Sequence, residues 1–142
     1  NNAVLAHQLG LTDLEGFGEY HGVKIGLKGR LPAPRSLEQV QGLCCGGKPL
    51  QVLPFGPESI QRIGIVSGGA AEEALQAIDE RLDLFITGEA SHSVYHQCLE
   101  AGMHVIFGGH YQTEVGGVKA LARKLAAEEA LETCFLDVPT GL

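Results

Sequence analysis

No apolar run in this chain approaches the length of a membrane span, and no secretory signal pattern opens it. The charge is not basic. A net value of −7 with neutral histidines argues against non-specific nucleic-acid binding. Lys24, Lys28, Arg30 and Arg35 do cluster, and they read as the solvated face of a strand. There is no Cys-x-x-Cys pair among Cys44, Cys45, Cys98 and Cys134, which points to reduced, buried thiols in a cytoplasmic protein. Gly-x-Gly-x-x-Gly and Walker A sequences are missing, so a nucleotide cradle of either kind is not indicated. A Gly-x-Ser-x-Gly elbow is missing too, which removes the serine-hydrolase reading. Internal repeats and low-complexity tracts are absent.

What is present is a chain of 142 residues, about one domain, with the composition of a globular protein. Val4, Leu5 and Leu9 mark a short helix, with Asn1 or Asn2 as its cap and Gly10 as its stop. Asp13 to Gly18 reads as turn-rich. From Tyr20 to Leu31 the apolar residues alternate, as in a strand with one wet face, and Pro32-Ala33-Pro34 breaks it. Ser36 with Gln39 makes a capping box for a second helix, and Leu50 to Phe55 is a further strand.

After residue 60 the pattern becomes regular. Ile63–Val66, Leu84–Ile86, His104–Phe107 and Cys134–Leu136 read as strands, separated by helical segments. The last of these helices is expected from Thr113 to about Leu131, with Val118, Leu121, Ala122 and Leu125 as its buried stripe. The expected fold is therefore α/β over residues 1–142. It has three layers, a mainly parallel sheet with helices on both faces, and an antiparallel strand at one edge.

Three strands then end at one edge of the sheet, each in a glycine-bearing polar loop: Ser67-Gly68-Gly69, Thr87-Gly88-Glu89 and Gly108-Gly109-His110. Ligands bind at such edges, where glycines admit them to the backbone. His110 and Glu114, four residues apart, present an imidazole and a carboxylate suited to zinc, manganese, iron or a similar divalent ion. They are equally what a surface histidine and a helix-start carboxylate look like. Glu89 reads as a general base, or as a carboxylate orienting a ligand. His92 and His96 read as exposed histidines one helical turn apart, and His7, His21 and His104 as structural. Tyr111 and Thr113 are candidate donors to a bound oxyanion, Thr113 being equally a helix N-cap, and Gly116-Gly117 implies close approach of another backbone.

Ile86-Thr87-Gly88-Glu89-Ala90-Ser91-His92 and Gly109-His110-Tyr111-Gln112-Thr113-Glu114 resemble paired signatures of the GTP cyclohydrolase I type 2 homologue family, also called Ngg-interacting-factor-three-like proteins. The resemblance extends over Ile63–Gly69, Gly29-Arg30-Leu31 and the Asn1-Asn2 start, and it is to the C-terminal portion of a family member. It implies two divalent ions per complete site. His110 and Glu114 match two of the ligands, and adjacent histidines and an aspartate belong to a preceding half. It also implies a homo-oligomer, commonly a ring-like hexamer, and a hydrolase-like site for an undefined small molecule. The chain opens Asn1-Asn2-Ala3 without an initiator methionine, which reads as part of a longer two-half protein whose metal site is incomplete in this piece. The contrasting expectation is an oligomeric regulatory scaffold with a structural or vestigial metal site.

Overall fold

Ile63, Ile65, Leu84, Ile86 and Ile106 are fully buried and belong to one apolar cluster, whereas Phe85, Val105 and Phe107 belong to another. Period-two alternation sends neighbouring side chains to opposite faces of a sheet, so these strands feed two clusters. Each fully buried aliphatic side chain contributes about 1.5–3 kcal/mol by leaving water. The computed structural model describes residues 1–141. Its order is α1 (Asn2–Leu9), β1 (Thr12–Tyr20), β2 (Val23–Arg35), α2 (Leu37–Leu43), β3 (Gln51–Pro54), β4 (Ile60–Ile65), α3 (Ala74–Asp79), β5 (Leu84–Thr87), α4 (Tyr95–Ala101), β6 (His104–Phe107) and α5 (His110–Glu128).

The six strands form one sheet in the order β1-β2-β4-β5-β6-β3. Only β4/β5 and β5/β6 are parallel, while β1/β2, β2/β4 and β3/β6 are antiparallel. The sheet is mixed, which corrects the expectation of a mainly parallel one. The strand–helix alternation from β4 to α5 is as the sequence indicates, but the flanking strands pair antiparallel. Leu5, Leu9 and Val40 of α1 and α2 pack in the first cluster, and Ala74, Ala77 and Cys98 of α3 and α4 in the second. Among the described residues no helix is long and apolar enough to cross a membrane.

Other departures have physical causes. Asp13 to Gly18 is strand, not turn, because β1 pairs with β2 through a two-residue turn at His21-Gly22. Both turn residues have positive φ (50° and 80°), as a tight hairpin requires. The Pro32-Ala33-Pro34 segment does not end β2: the strand runs to Arg35, and the prolines fall where its register with β4 shifts. The Ser36–Gln39 capping box is present as expected. Gly64 leaves room for Phe17, whose ring packs at 6.0 Å from that of Phe85.

The segment 130–141 carries no regular secondary structure, so Cys134–Leu136 is not a strand. The free edges of the sheet belong to β1 and β3, and the tail runs along α5 instead. Tyr111 donates to Asp137 at 2.5 Å, and the Lys119 ammonium sits 4.4 Å over the Phe135 ring. The anticipated stripe on α5 is not wholly buried either: Val118 and Leu121 are 58% and 57% exposed.

Candidate metal centre

Because β4, β5 and β6 are parallel, their C-terminal loops meet at one edge, as the sequence indicates. The Gly68 carbonyl ties them together. It accepts the N–H groups of Gly88 (2.9 Å) and Glu89 (3.1 Å) and the Thr87 hydroxyl (3.2 Å). Beyond β6, Gly108 and Gly109 donate to the carbonyls of Thr87 and Gly88 at 2.8 and 2.9 Å. A side chain at Gly88 would come within 2.7 Å of the Gly68 oxygen and 2.8 Å of the His110 Cα, so the three loops cross at a point that only glycine fits.

The helix α5 begins at His110, earlier than the expected Thr113, because Gly109 takes the cap position with φ 93°. Thr113 is therefore not the cap. Its buried hydroxyl accepts the Gly68 N–H at 3.1 Å and donates back to the Gly109 carbonyl at 2.9 Å. On the other side of this loop, Asn2 accepts the Ser67 N–H at 2.8 Å and donates to the Ile25 carbonyl at 2.8 Å. Asn1 stands at the cap of α1, but its side chain makes no capping bond and instead accepts the Gly117 N–H at 3.0 Å. Gly116 and Gly117 thus do admit a close neighbour, the start of α1.

Glu89, His110 and Glu114 converge on the crevice so formed. The Nδ1 of His110 lies 2.5 Å from Glu89 Oε1, and its Nε2 lies 3.3 Å from Glu114 Oε2. A carboxylate can only accept here, so Nδ1 carries the hydrogen. In the neutral imidazole the Nε2 lone pair then faces Glu114. The Glu89 hydrogen bond chiefly raises the imidazole pKa above its ordinary value; desolvation opposes it, and the charges of Glu114 and Glu89 and the Glu114 hydrogen bond add smaller upward contributions. All three side chains are about half exposed. Gly68 and Gly69 lie against them, at a spacing that a Cβ would crowd.

Next to this group is an open cavity of about 400 Å³. Its lining is part polar (Glu89, His110, Tyr111, Glu114) and part apolar (Val115, Val118, Phe135, Leu136). The tail's share of that lining was not visible in the sequence, where residues 134–136 read as strand. Tyr111 points its hydroxyl to Asp137 rather than leaving it open for an oxyanion.

Of the remaining histidines His104 has the structural role expected of it, while His7 and His21 are exposed. His104 is buried, accepts the Gly56 N–H at 3.0 Å and places its other nitrogen 2.9 Å from the Pro57 carbonyl. His92 and His96 are exposed and face each other edge-on, with ring centroids 6.5 Å apart. Among the described residues no group of three or more His, Cys, Asp or Glu side chains is arranged to hold a metal. His110 Nε2 with Glu114 fits a divalent ion as two of its ligands. Among the described residues no third such side chain joins them.

The family model described as Duf34/NIF3 (NGG1p interacting factor 3) matches residues 1–141. The chain is 39% identical over 142 residues to a GTP cyclohydrolase 1 type 2 homolog of Archaeoglobus fulgidus, covering 100% of this chain and 57% of that protein. It is 42% identical over 146 residues to the protein of the same description from Deinococcus radiodurans, covering 100% and 55%. Among solved structures it is similar to protein ybgI, described as of unknown function, with 33% identity and a TM-score of 0.85 over 98% of this chain and 56% of that one. The chain thus spans little more than half the length of the curated relatives it matches.

Proposed function

We propose, from the premise that this chain belongs to the Duf34/NIF3 family, that His110 and Glu114 are two ligands of a divalent-metal site in a metal-dependent hydrolase. The observation that carries this reading is the pairing of His110 Nδ1 with Glu89, which leaves Nε2 aimed toward Glu114. Metal-binding imidazoles are held in this way, with a carboxylate on the far nitrogen setting tautomer and ring orientation. Glu89 is then a positioning residue whose second oxygen is free to take a proton near the crevice. A zinc, manganese or iron ion bound there supplies an acidified water and polarises the bond to be broken.

The protein groups do the rest. Glu89 holds the ring, Thr113 and Asn2 hold the Ser67-Gly68-Gly69 loop against it, and the apolar lining takes the less polar part of a small substrate. A nucleotide, a phosphate ester or a cyclic amide suits a cavity lined by both polar and apolar groups. Completion of the site by further donors of the longer family chain, two ions per site, a cytoplasmic setting and a ring-like homo-oligomer belong to the same proposal. Two apolar clusters served by different helices favour the layered arrangement expected from the sequence.

The alternative is a regulatory scaffold with a structural or vestigial metal site, favoured by the lack of a third ligand among the described residues. Zinc and manganese titrations of the wild type, His110→Ala and a His92→Ala control distinguish them. The hydrolase reading expects His110→Ala to lose metal and hydrolysis together while the assembly persists, with His92→Ala unchanged. Equal metal binding by all three proteins would sink the site. Loss of assembly alone would favour the scaffold.

A further inference from the structure

The segment 132–141 runs between two cavities on the surface of α5. Phe135, Leu136 and Thr140 line the metal crevice, of about 400 Å³, whereas Asp137 and Pro139 line a second space of about 350 Å³. Tyr111 and Val115 line both. Different residues of the segment thus face opposite sides, as in a strap laid across one groove.

The strap buries little of itself. Phe135 is half-buried, and the residues on either side of it are exposed. Its ring lies under the Lys119 ammonium at 4.4 Å, and Thr133 donates to the Ala122 carbonyl at 3.4 Å. Tyr111 makes the closest tie. Its hydroxyl donates to Asp137 at 2.5 Å and accepts the Val138 N–H at 3.0 Å, so one phenol oxygen fixes two consecutive residues of the strap. A segment with few buried apolar contacts and solvent-facing hydrogen bonds opens at a small free-energy cost, well before the sheet does. The loops that carry Glu89 and His110 have their own support in the bonds of Gly68 and Thr113, none of which involves the strap.

We propose that segment 132–141 is a gate on the crevice, latched by Tyr111, and that it restricts the crevice to compact ligands. Latched, the strap confines a ligand to the space beside Glu89, His110 and Glu114. Lifted, it lets the two cavities join along Tyr111 and Val115, and Lys119, released from Phe135, gives the lengthened groove a cation one helical turn beyond Val115. A compact ligand binds under the latched strap. A longer one binds only when the strap is lifted, so its affinity is reduced by the fraction of time the gate is closed. Tyr111 is therefore a positioning residue, acting on ligand size through the strap. The inference rests on the metal reading for what the crevice holds, and not for the movement of the strap.

Two histidine reagents of different size test it on the metal-free chain, in a Cys134→Ser background so that neither reagent marks the strap. Diethyl pyrocarbonate is compact, and p-bromophenacyl bromide carries an aromatic ring. Mass spectrometry follows modification of His110, with exposed His92 as the internal reference. In the background protein His110 is expected to react readily with the compact reagent and to lag His92 several-fold with the aromatic one. Tyr111→Phe removes both latch bonds and Asp137→Ala removes one, and both are expected to narrow that lag while leaving the compact reagent's rate little changed. The same ratio of the two reagents in all three proteins would overturn the gate, and so would the absence of any lag in the background protein. A change in Tyr111→Phe that Asp137→Ala does not share would be a local effect of the ring and would overturn it too. No metal enters the readout, so failure of the gate leaves the zinc titration of His110→Ala to decide the metal reading separately.

Discussion

Glu89 and His110 come from the loops after two neighbouring parallel strands, β5 and β6, and meet at 2.5 Å between Oε1 and Nδ1. Their closeness follows from the ladder continuing past the strands, since Gly108 and Gly109 still donate to Thr87 and Gly88. The pair governs how the imidazole titrates.

The His110 pKa is raised, chiefly by the Glu89 hydrogen bond. A histidine with a raised folded pKa adds stability that is fully present below its unfolded value of about 6.5 and is lost as pH rises through the folded value. The metal-free chain should therefore lose this contribution as pH rises from about 6.5 through the raised pKa of the folded state. Glu89→Gln should lower the imidazole pKa and flatten that part of the profile. Proton NMR of the His110 ring in both proteins measures it, and identical titration curves would contradict the geometry. Metal competes with the same proton, so zinc affinity should rise across that window.

Thr113 buries the hydroxyl that satisfies the Gly68 N–H. Thr113→Val keeps the shape and removes the partner, which should cost about 1–3 kcal/mol. Thr113→Ser retains the hydroxyl and should cost less. Urea unfolding of the three proteins decides the matter, and a valine variant as stable as wild type would show that the bond contributes nothing.

Two glycines should respond in opposite directions to alanine. At Gly88 the new methyl meets the Gly68 carbonyl, the His110 Cα and the Thr113 hydroxyl, and overpacking of this kind costs about 1–3 kcal/mol or more. Gly42 lies inside α2 with nothing within 4 Å of an added Cβ. Gly42→Ala should stabilise the chain by about 0.4–1 kcal/mol, largely by restricting the unfolded state. Thermal melts compare the pair, and a stable Gly88→Ala protein would remove the crowded crossing from the account.

Tyr111 anchors the tail by donating to Asp137 and accepting the Val138 N–H at 3.0 Å. Tyr111→Phe should speed hydrogen exchange in residues 133–138 several-fold and leave the strands unaffected. Unchanged exchange there would mean that other contacts, such as Lys119 over the Phe135 ring and Thr133 on the Ala122 carbonyl, secure the tail without the Tyr111 hydroxyl.

Local patterns carried much of this into the sequence. The strands Ile63–Val66, Leu84–Ile86 and His104–Phe107 were legible because buried parallel strands are continuous apolar runs, and their glycine-ended loops came with them. The Ser36 capping box was legible because its two residues lie three apart. His110 and Glu114 were legible as a pair one helical turn apart. The hairpin of β1 was not, since Asp13, Gly16 and Gly18 favour turns locally and only pairing with β2 makes them strand.

By itself, then, the sequence determined the α/β class, the sheet edge at which the loops gather and the family to which the chain belongs. Tertiary structure alone decided that the sheet is mixed, that the tail lies on α5, and that Glu89 closes on His110 rather than on solvent. It also decided that Asn2 and Thr113 brace the Ser67–Gly69 loop from opposite sides. The division has one cause. Periodicity and capping act over a few residues, whereas strand pairing and hydrogen bonds between residues 21, 45 and 65 positions apart are selected only when the whole chain packs.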